Sequence, residues 1–332
     1  MKSLIAAGAT VKAAASLLFA ALFMSLCTPV HAQQYPVRPI RLVIPWPPGG
    51  ITDVISRTMA AALSESLGQQ VVPDNRPGAA GTLGVSIGAH AQPDGYTLIM
   101  TDVPSHAISA TLYKKLHFDS VKDVEPIALP SRSPLVLVVN PKLGVKTTAQ
   151  LIEQAKARPG QVSFASSGPG SITHLTAERF IAETGVKLLH VPYKGSGPAL
   201  SELLGGQVET MIDQLAASIG YVRDGRLKVL AVTTQQRAAA LPNVPTLEEL
   251  GYKGYQAATL LGLLAPAGTP KPVVAKLNAG VRKIMENNAV AERFRGLGAN
   301  PGASSPEEFT TRIRDELEQW RTLVKQLNLK FE

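Results

Sequence analysis

Pro-Trp-Pro-Pro-Gly-Gly-Ile-Thr-Asp at residues 45–53 stands between two apolar segments that differ in their periodicity. Residues 40–44 have the aliphatic and β-branched composition of a buried strand, whereas residues 54–67 have the spacing of an amphipathic helix. The prolines prevent either element from continuing, and the two glycines allow the backbone to turn tightly. This stretch is therefore predicted to be a strand-to-helix turn, with Thr52 and Asp53 as N-caps.

The start of this helix has two interpretations. In the first, the free N–H groups and the positive end of the helix dipole face a cleft and hold a carboxylate, which contributes about 0.3 to 1 kcal/mol at an exposed site. In the second, the segment is an ordinary loop whose prolines only end the strand. The local sequence does not decide between them.

Residues 1–32 have the pattern of a secretory signal peptide. Lys2 and Lys12 are the only charges, an apolar stretch covers residues 13–26, and Ala32 supplies a small residue before the predicted cut. The apolar stretch is shorter than the roughly 18 residues that a spanning helix needs. Cys27, the only cysteine, could carry a lipid, but the bulky residue before it disfavours that alternative. The chain is predicted to be exported, with its leader cleaved after Ala32.

The composition limits the classes of partner. The chain of 332 residues has a formal net charge of +8, and removal of the two leader lysines leaves +6, which weakly favours anionic ligands. Basic residues are scattered and aromatic residues do not interleave with them, so no nucleic-acid interface is predicted. About 300 mature residues exceed one ordinary hydrophobic core and predict two lobes.

Strand-like and helix-like segments alternate along the chain, which predicts an α/β fold with mostly parallel sheets. A first crossing between lobes is expected near residue 134 and a second near residue 257, so that two strands form a hinge. Lobe one is predicted to comprise residues 33–133 and 257–332, with a C-terminal helix over 306–330 on its outside. Lobe two is predicted to comprise residues 134–256.

A second glycine-rich turn, Ser-Ser-Gly-Pro-Gly-Ser-Ile-Thr-His-Leu at residues 166–175, is expected in lobe two. Two helix N-termini can then face each other across a cleft, an arrangement that suits a small molecule with anionic groups. Neither turn contains an arginine or a lysine, so recognition is predicted to use backbone amides, hydroxyl groups and water. The alternative for these serines is helix capping.

Other segments should reach the cleft because ligand sites collect at the carboxyl ends of parallel strands. One of these segments contains Asp102. Its carboxylate could determine which charged groups of a ligand are accepted, or it could cap the helix near Ser105. Lys194 is either a positive charge near the ligand or an exposed loop residue. Asp213 could receive an amine or hydroxyl of the ligand, or could cap a helix.

Enzymatic alternatives find little support in the motifs. Ser167 lacks the G-x-S-x-G context of a hydrolase nucleophile, and His174 is expected to brace its loop rather than to act as a base. The dinucleotide pattern G-x-G-x-x-G fails because Thr173 replaces its last glycine, and no phosphate-binding loop or paired zinc ligands occur. No catalytic residue, cofactor or metal is predicted.

Six motifs together resemble those of one protein family, and they cover the mature chain in order. They are PWPPGGITD at 45–53, NRPGAAG at 75–81, PDGYTL at 93–98, SSGPGSITHL at 166–175, VPYKGSGPA at 191–199 and LPNVPTLEELGY at 241–252. The chain resembles the extracytoplasmic solute-binding proteins of tripartite tricarboxylate transporters, the TctC or Bug type.

This resemblance implies a two-lobed Venus-flytrap fold of the type II periplasmic-binding-protein kind, without catalysis. It also implies a monomer in the periplasm that captures a small organic acid or amino acid for membrane transporter subunits or for a sensor. Asp102 and Thr259 depart from the family pattern and are expected to affect ligand choice.

The candidate ligand-binding residues belong to the turns and strand ends described above. They are Trp46, Pro48, Gly49, Gly50, Thr52, Asp53, Thr101, Asp102, Ser105, Ser167, Gly168, Gly170, Ser171, Thr173, Tyr193 and Asp213.

Overall fold

Two sheets joined by one shared strand organise the chain in a computed structural model, which describes residues 35–113 and 116–329. The signal-peptide prediction falls on residues 1–32, outside this part of the chain. Residues 38–332 form one unit, which holds all the elements named below. Among the described residues, no helix combines the length and apolar character needed to cross a membrane.

The described residues contain ten strands and ten α-helices. The strands are β1 (Ile40–Ile44), β2 (Val71–Asn75), β3 (Thr97–Asp102), β4 (Val124–Val139), β5 (Ser163–Ser166), β6 (Leu189–Pro192), β7 (Thr210–Gln214), β8 (Lys228–Val232), β9 (Ala258–Pro266) and β10 (Asn300–Pro301). The helices are α1 (Ile51–Leu67), α2 (Thr82–Ala89), α3 (Val103–Leu112), α4 (Thr148–Ala157), α5 (Ile172–Thr184), α6 (Ser196–Gly205), α7 (Leu215–Arg223), α8 (Lys271–Glu286), α9 (Asn288–Gly296) and α10 (Pro306–Gln326).

Sheet one forms lobe one and has a parallel part and an antiparallel part. Strand β1 lies between β2 and β3 and runs parallel to both. Strand β9 pairs antiparallel with β3 and with the first part of β4, and β10 pairs with β4 on its other side. Because β1 and β3 are parallel neighbours, the segments that follow them meet at one edge of the sheet, as the sequence predicted.

Sheet two forms lobe two and repeats this plan. Strand β5 runs parallel to β6 and β7, and the second part of β4 pairs antiparallel with β7 and β8. Strand β4 changes partners between Pro134, which pairs with β9, and Leu135, which pairs with β7. One continuous strand therefore links the lobes, and the predicted two-lobed α/β fold is confirmed.

The chain returns from lobe two beside this strand. The amide of Thr233 donates to the Leu135 carbonyl, and the amide of Ala257 donates to the Thr233 carbonyl, both at 3.0 Å. The Thr233 hydroxyl lies 2.8 Å from the Ala257 carbonyl oxygen. Three chain segments thus meet at the hinge, close to the positions predicted for the crossings, while the exact lobe boundaries stay a prediction.

The C-terminal helix α10 contacts the cores of both lobes. Its first half places Phe309 and Ile313 in a cluster with residues of sheet one. Its second half places Trp320 and Val324 in the core that contains Phe164 of β5. The sequence expectation that this helix covers the outside of one lobe was too narrow, because an amphipathic stripe does not reveal which two surfaces it joins.

Several local predictions differ from the structure. Helix α1 begins at Ile51 with Gly50 as its N-cap, so Thr52 and Asp53 lie inside the helix instead of capping it. The sequence also predicts a short helix over residues 246–250, after a loop framed by prolines, but residues 247–250 form turns. The sequence prediction did not identify α7 or α9, whose short apolar stripes lie next to stronger strand and helix signals.

Gly84 in α2 allows close contact with the start of the 45–53 turn. A Cβ at Gly84 would lie 2.6 Å from both the Arg76 carbonyl oxygen and Pro45 Cα, so the backbone would have to move. We expect Gly84→Ala to lower the free energy of unfolding by about 1 to 3 kcal/mol, the usual cost of overpacking. Thermal or urea unfolding measures this change.

Gly280→Ala is the matched control because Gly280 also lies in a helix. Its added methyl would make only ordinary contacts, the nearest at 3.6 Å from Leu63 Cδ2. Replacing a helical glycine by alanine normally stabilises by about 0.5 to 1 kcal/mol. Equal stabilisation by both variants would contradict the backbone clash at Gly84.

Candidate ligand-binding site

A small cavity lies between the lobes at the N-terminus of α1. Its lining comes from the turn after β1 and from the ends of β5 and β7 with the start of α6. These residues are Trp46, Pro47, Gly50, Ile51, Thr52, Ser167, Ser196 and Gln214. The cavity measures about 20 Å³, which is room for about one water molecule. None of the lining side chains is charged.

The first turn of α1 directs unpaired amides toward this cavity. Gly50 is the N-cap and carries no side chain to satisfy them. Among the described residues, no acceptor is found for the amides of Gly50, Ile51 and Thr52. Buried amides normally have partners, and a helix N-terminus favours negative charge. This side of the cavity is therefore suited to a carboxylate.

A buried carboxylate holds the turn in shape behind the cavity. Asp53 accepts hydrogen bonds from the Gly49 amide at 3.1 Å, from Asn75 Nδ2 at 2.9 Å and from Arg57 Nε at 2.9 Å. Asn75 also donates to the Trp46 carbonyl at 2.9 Å. Burial alone would raise the pKa of Asp53, but the hydrogen bonds and the Arg57 charge hold it below its usual value. Asp53 thus supports the turn.

The corresponding turn of lobe two uses most of its amides internally. The amide of Ser167 donates to Thr173 Oγ1 at 2.9 Å, and the amide of His174 donates to Ser171 Oγ at 3.3 Å. The amide of Gly170 lies 3.3 Å from His174 Nδ1. The sequence predicted two helix N-termini with free amides on the two sides of the cleft. The lobe-two turn does not fit this prediction, because it offers the Ser167 side chain rather than a row of free amides.

Ser196 at the start of α6 is held in place by a buried acid. Its Oγ lies 2.7 Å from Asp213 Oδ1 and 2.8 Å from Gln214 Oε1. Ser218 Oγ donates to the other oxygen of Asp213 at 2.7 Å. Burial raises the pKa of Asp213 to about 6, against the opposing effect of these hydrogen bonds. Asp213 positions Ser196 and does not line the cavity itself.

Four of the predicted site residues line the cavity, namely Trp46, Gly50, Thr52 and Ser167. The others lie outside its lining: Pro48, Gly49, Asp53, Thr101, Asp102, Ser105, Gly168, Gly170, Ser171, Thr173, Tyr193 and Asp213. The candidate residues did not include Ser196 or Gln214, although Ser196 lies in a segment expected at the cleft, residues 193–198, and Gln214 directly follows Asp213. They also did not include Pro47 and Ile51 as individual residues of the quoted turn.

Asp102 takes part in a hydrogen-bond chain between the lobes. It is the N-cap residue of α3, and its carboxyl accepts from the Ser105 hydroxyl. Ser105 Oγ in turn accepts from the amide of Ile172, the first residue of α5 in lobe two, at 3.1 Å. Burial, together with the negative charge of nearby Glu316, raises the pKa of Asp102 to about 7. Thr259, the other residue expected to affect ligand choice, is buried in β9.

The raised pKa of Asp102 predicts a pH effect on stability. An unfolded aspartate ionises near pH 4, whereas folded Asp102 keeps its proton to about pH 7. The folded state therefore binds more protons in this window, and its stability falls as pH rises from about 4 to 7. We expect Asp102→Asn to abolish this pH-dependent loss of stability. The Tm of the variant relative to that of the wild type should therefore rise by a few degrees between about pH 5 and 8.

Thermal unfolding at a series of pH values tests this expectation. Asp315→Asn on the exposed surface of α10 is the control for the loss of one carboxylate. A constant Tm difference between Asp102→Asn and wild type across the series would contradict the assignment.

The serine hydrolase alternative finds no support in the arrangement of these side chains. Ser167 Oγ lies 2.8 Å from Thr173 Oγ1, and His174 uses Nδ1 for the Gly170 amide. A different pair, Ser166 and His190, lies 2.7 Å apart, but Ser166 is fully buried. A nucleophile must be exposed to its substrate and activated by a base, and neither serine meets both conditions.

Comparison with known proteins identifies the family. Residues 55–329 match the profile of TctC, described as the tripartite tricarboxylate transporter family receptor. The chain belongs to this family. The TctC family comprises solute-binding receptors rather than enzymes, and the resemblance found in the sequence motifs is confirmed.

Individual TctC relatives match nearly the whole chain. Protein BugT of Bordetella pertussis is 39% identical over 307 residues, which cover 92% of this chain and 94% of BugT. The structure of R. palustris Rpa4515 with adipate has a TM-score of 0.87 and 36% identity, covering 89% of this chain and 99% of that one. MatC from Rhodopseudomonas palustris with bound malate has a TM-score of 0.83 and 33% identity, covering 87% and 100%.

Both structural relatives were solved with a small dicarboxylic acid, adipate in one and malate in the other. Their similarity to this chain extends across both lobes, because it covers more than four fifths of its residues. The two-lobed periplasmic-binding-protein fold predicted from the sequence is confirmed by these comparisons.

Proposed function

We propose that this protein binds a small organic dicarboxylate between its lobes and delivers it to a transporter of the tripartite tricarboxylate type. The single observation that carries the proposal is the row of unpaired amides at the N-terminus of α1, in a cavity that Ser167 and Ser196 of lobe two also line. Charged side chains are absent from this lining, so one carboxylate would be held by amides and hydroxyls.

The volume of the cavity supports a closing mechanism. About 20 Å³ is far below the roughly 300 Å³ or more that small-molecule sites usually enclose. The lobes are also in direct contact, since a Cβ at Gly195 would lie 2.5 Å from Pro47 Cγ. An acid therefore enters when the lobes separate, and closure brings the lobe-two hydroxyls to it. A ligand that gains contacts only in the closed form shifts the equilibrium toward closure.

The proposed function also requires that the chain be exported. The leader at residues 1–32 would direct the chain to the periplasm and be removed after Ala32, and the mature protein would act there as a monomer. The family description supports membrane transporter subunits as the receiving partner. If deletion of tripartite tricarboxylate transporter genes in the source organism stops uptake of the bound acid, transport is supported, whereas unchanged uptake would favour a sensory role.

Ligand binding is tested with the purified mature chain. We expect malate, adipate or another dicarboxylate of about four to six carbons to raise Tm, with a Kd near micromolar, or about −8 kcal/mol. Native mass spectrometry of the protein as purified would identify a retained acid. The diamide of the same acid is the control, because it keeps the carbon chain and lacks the charges. Equal binding of acid and diamide would overturn the proposal.

A further inference from the structure

A large cavity lies at the hinge, apart from the candidate ligand-binding site. It measures about 570 Å³, within the range of small-molecule sites. Pro134 of the hinge strand β4 and Leu215 of α7 form part of its wall. The cleft cavity and this one share no lining residue, so they are separate sites.

Three arginines from different parts of the fold line this hinge cavity. Arg132 comes from β4, Arg237 from the segment after β8 in lobe two, and Arg295 from α9 in lobe one. The other polar side chains of the wall are neutral, and no acidic residue contributes to it. A guanidinium presents a planar fork of donors that matches carboxylate and phosphate oxygens.

The arginines retain capacity for an additional anion. Arg237 donates to Glu249 at 2.9 Å and Arg295 donates to Glu292 at 2.6 Å, but both acids are substantially exposed. Exposed ion pairs of this kind are weak and readily exchanged. In the described part of the chain, no acid lies within ion-pair distance of Arg132, although buried Glu316 interacts with it electrostatically at longer range.

We propose that the hinge cavity binds a small anion with at least two carboxylate or phosphate groups. One anionic group would be shared by Arg132 and Arg237, and another would reach Arg295. Because Arg237 and Arg295 belong to different lobes, separation of the lobes would pull the site apart. An anion here would therefore hold the lobe arrangement seen in the structure.

Isothermal titration calorimetry tests this site with citrate and pyrophosphate as probes, one for each anion chemistry. The measurements use the full mature chain carrying Gly50→Val, so that the cleft is obstructed and cannot account for the signal. We expect one bound probe per chain, with each of Arg132→Gln, Arg237→Gln and Arg295→Gln weakening it about 10-fold, the effect of losing one charged hydrogen bond. The comparison of citrate with pyrophosphate identifies the preferred anion.

Arg293→Gln is the matched control, because Arg293 is exposed on the same helix as Arg295 and does not line the cavity. We expect it to change the Kd of either probe less than about 2-fold at about 0.15 M salt, where charges beyond about 8 Å are screened. Equal weakening by all four variants, or no binding of either probe, would overturn the hinge site. Probe binding by Gly50→Val that is insensitive to the three arginines would also overturn the hinge site, because the anion would then be held elsewhere. The proposed function of the cleft is tested separately, by dicarboxylate binding to the wild-type chain.

Discussion

Gly50→Val is expected to weaken carboxylate binding at least about 100-fold, or about 2.7 kcal/mol, without unfolding the protein. Gly50 has φ −81° and ψ 170°, an extended conformation that any residue adopts. An added Cβ would meet no heavy atom within 4 Å, so the fold can accept the larger side chain. Because Gly50 itself lines the cavity, we expect the two methyl groups of the valine to obstruct it. They would occupy the space in front of the α1 amides. Calorimetry with the dicarboxylate that most raises Tm measures the loss.

Gly220→Val separates this effect from a general cost of adding a side chain. Gly220 in α7 also has free space around an added Cβ, and it is distant from the cavity lining. Its replacement by valine costs some helix propensity but should leave Kd within about 2-fold. Wild-type affinity in Gly50→Val would refute the assignment of the carboxylate to the N-terminus of α1.

Ser196→Ala is expected to weaken binding about 10-fold or more. Ser196 lines the cavity from lobe two, and in the complex its hydroxyl proton would turn from Asp213 or Gln214 to the ligand carboxylate. A hydrogen bond to a charged group contributes about 1.5 to 3 kcal/mol. Ser196 contacts the ligand only when the lobes are closed. Removal of its hydroxyl should therefore destabilise the closed, ligand-bound form. Stopped-flow measurements should accordingly show faster ligand release, with a smaller change in the association rate.

Ser218→Ala is a close control because the two serines share one partner. Both are buried, and each places its hydroxyl 2.7 Å from an oxygen of Asp213, but only Ser196 lines the cavity. Both variants remove one hydrogen bond to a buried carboxylate and should destabilise the fold similarly. In addition to this loss of stability, only Ser196→Ala should weaken ligand binding. Equal losses of affinity would mean that Ser196 acts through stability alone.

The family, the two-lobed α/β fold and the main turn could be predicted from the sequence because they depend on local patterns. Strand β1 and helix α1 differ in hydrophobic period, and prolines and glycines mark the segment between them. Capping signals were also local, as at Ser305, which forms a capping box with Glu308 at the start of α10. These features follow from backbone chemistry that neighbouring residues supply.

The members of the site could be predicted only in part. Trp46, Gly50 and Thr52 belong to one continuous turn, so the sequence placed them together. Ser196 and Gln214 come from two other segments of lobe two, and their approach depends on how α6 packs beside β7. Asp102 had the chemistry of a ligand-binding residue, but folding buried it at the α3 N-terminus.

Residues 45–53 thus determine the turn and the start of helix α1 by themselves, through their prolines and glycines. Whether the amides of that helix start remain open was settled by packing, because the lobe-two turn satisfies its own amides through Ser171 and Thr173 while α1 has no capping side chain. The hinge arginines are a second feature that the local sequence does not determine. Arg132, Arg237 and Arg295 are distant in the chain, and only the return of the chain past β4 brings them to one cavity.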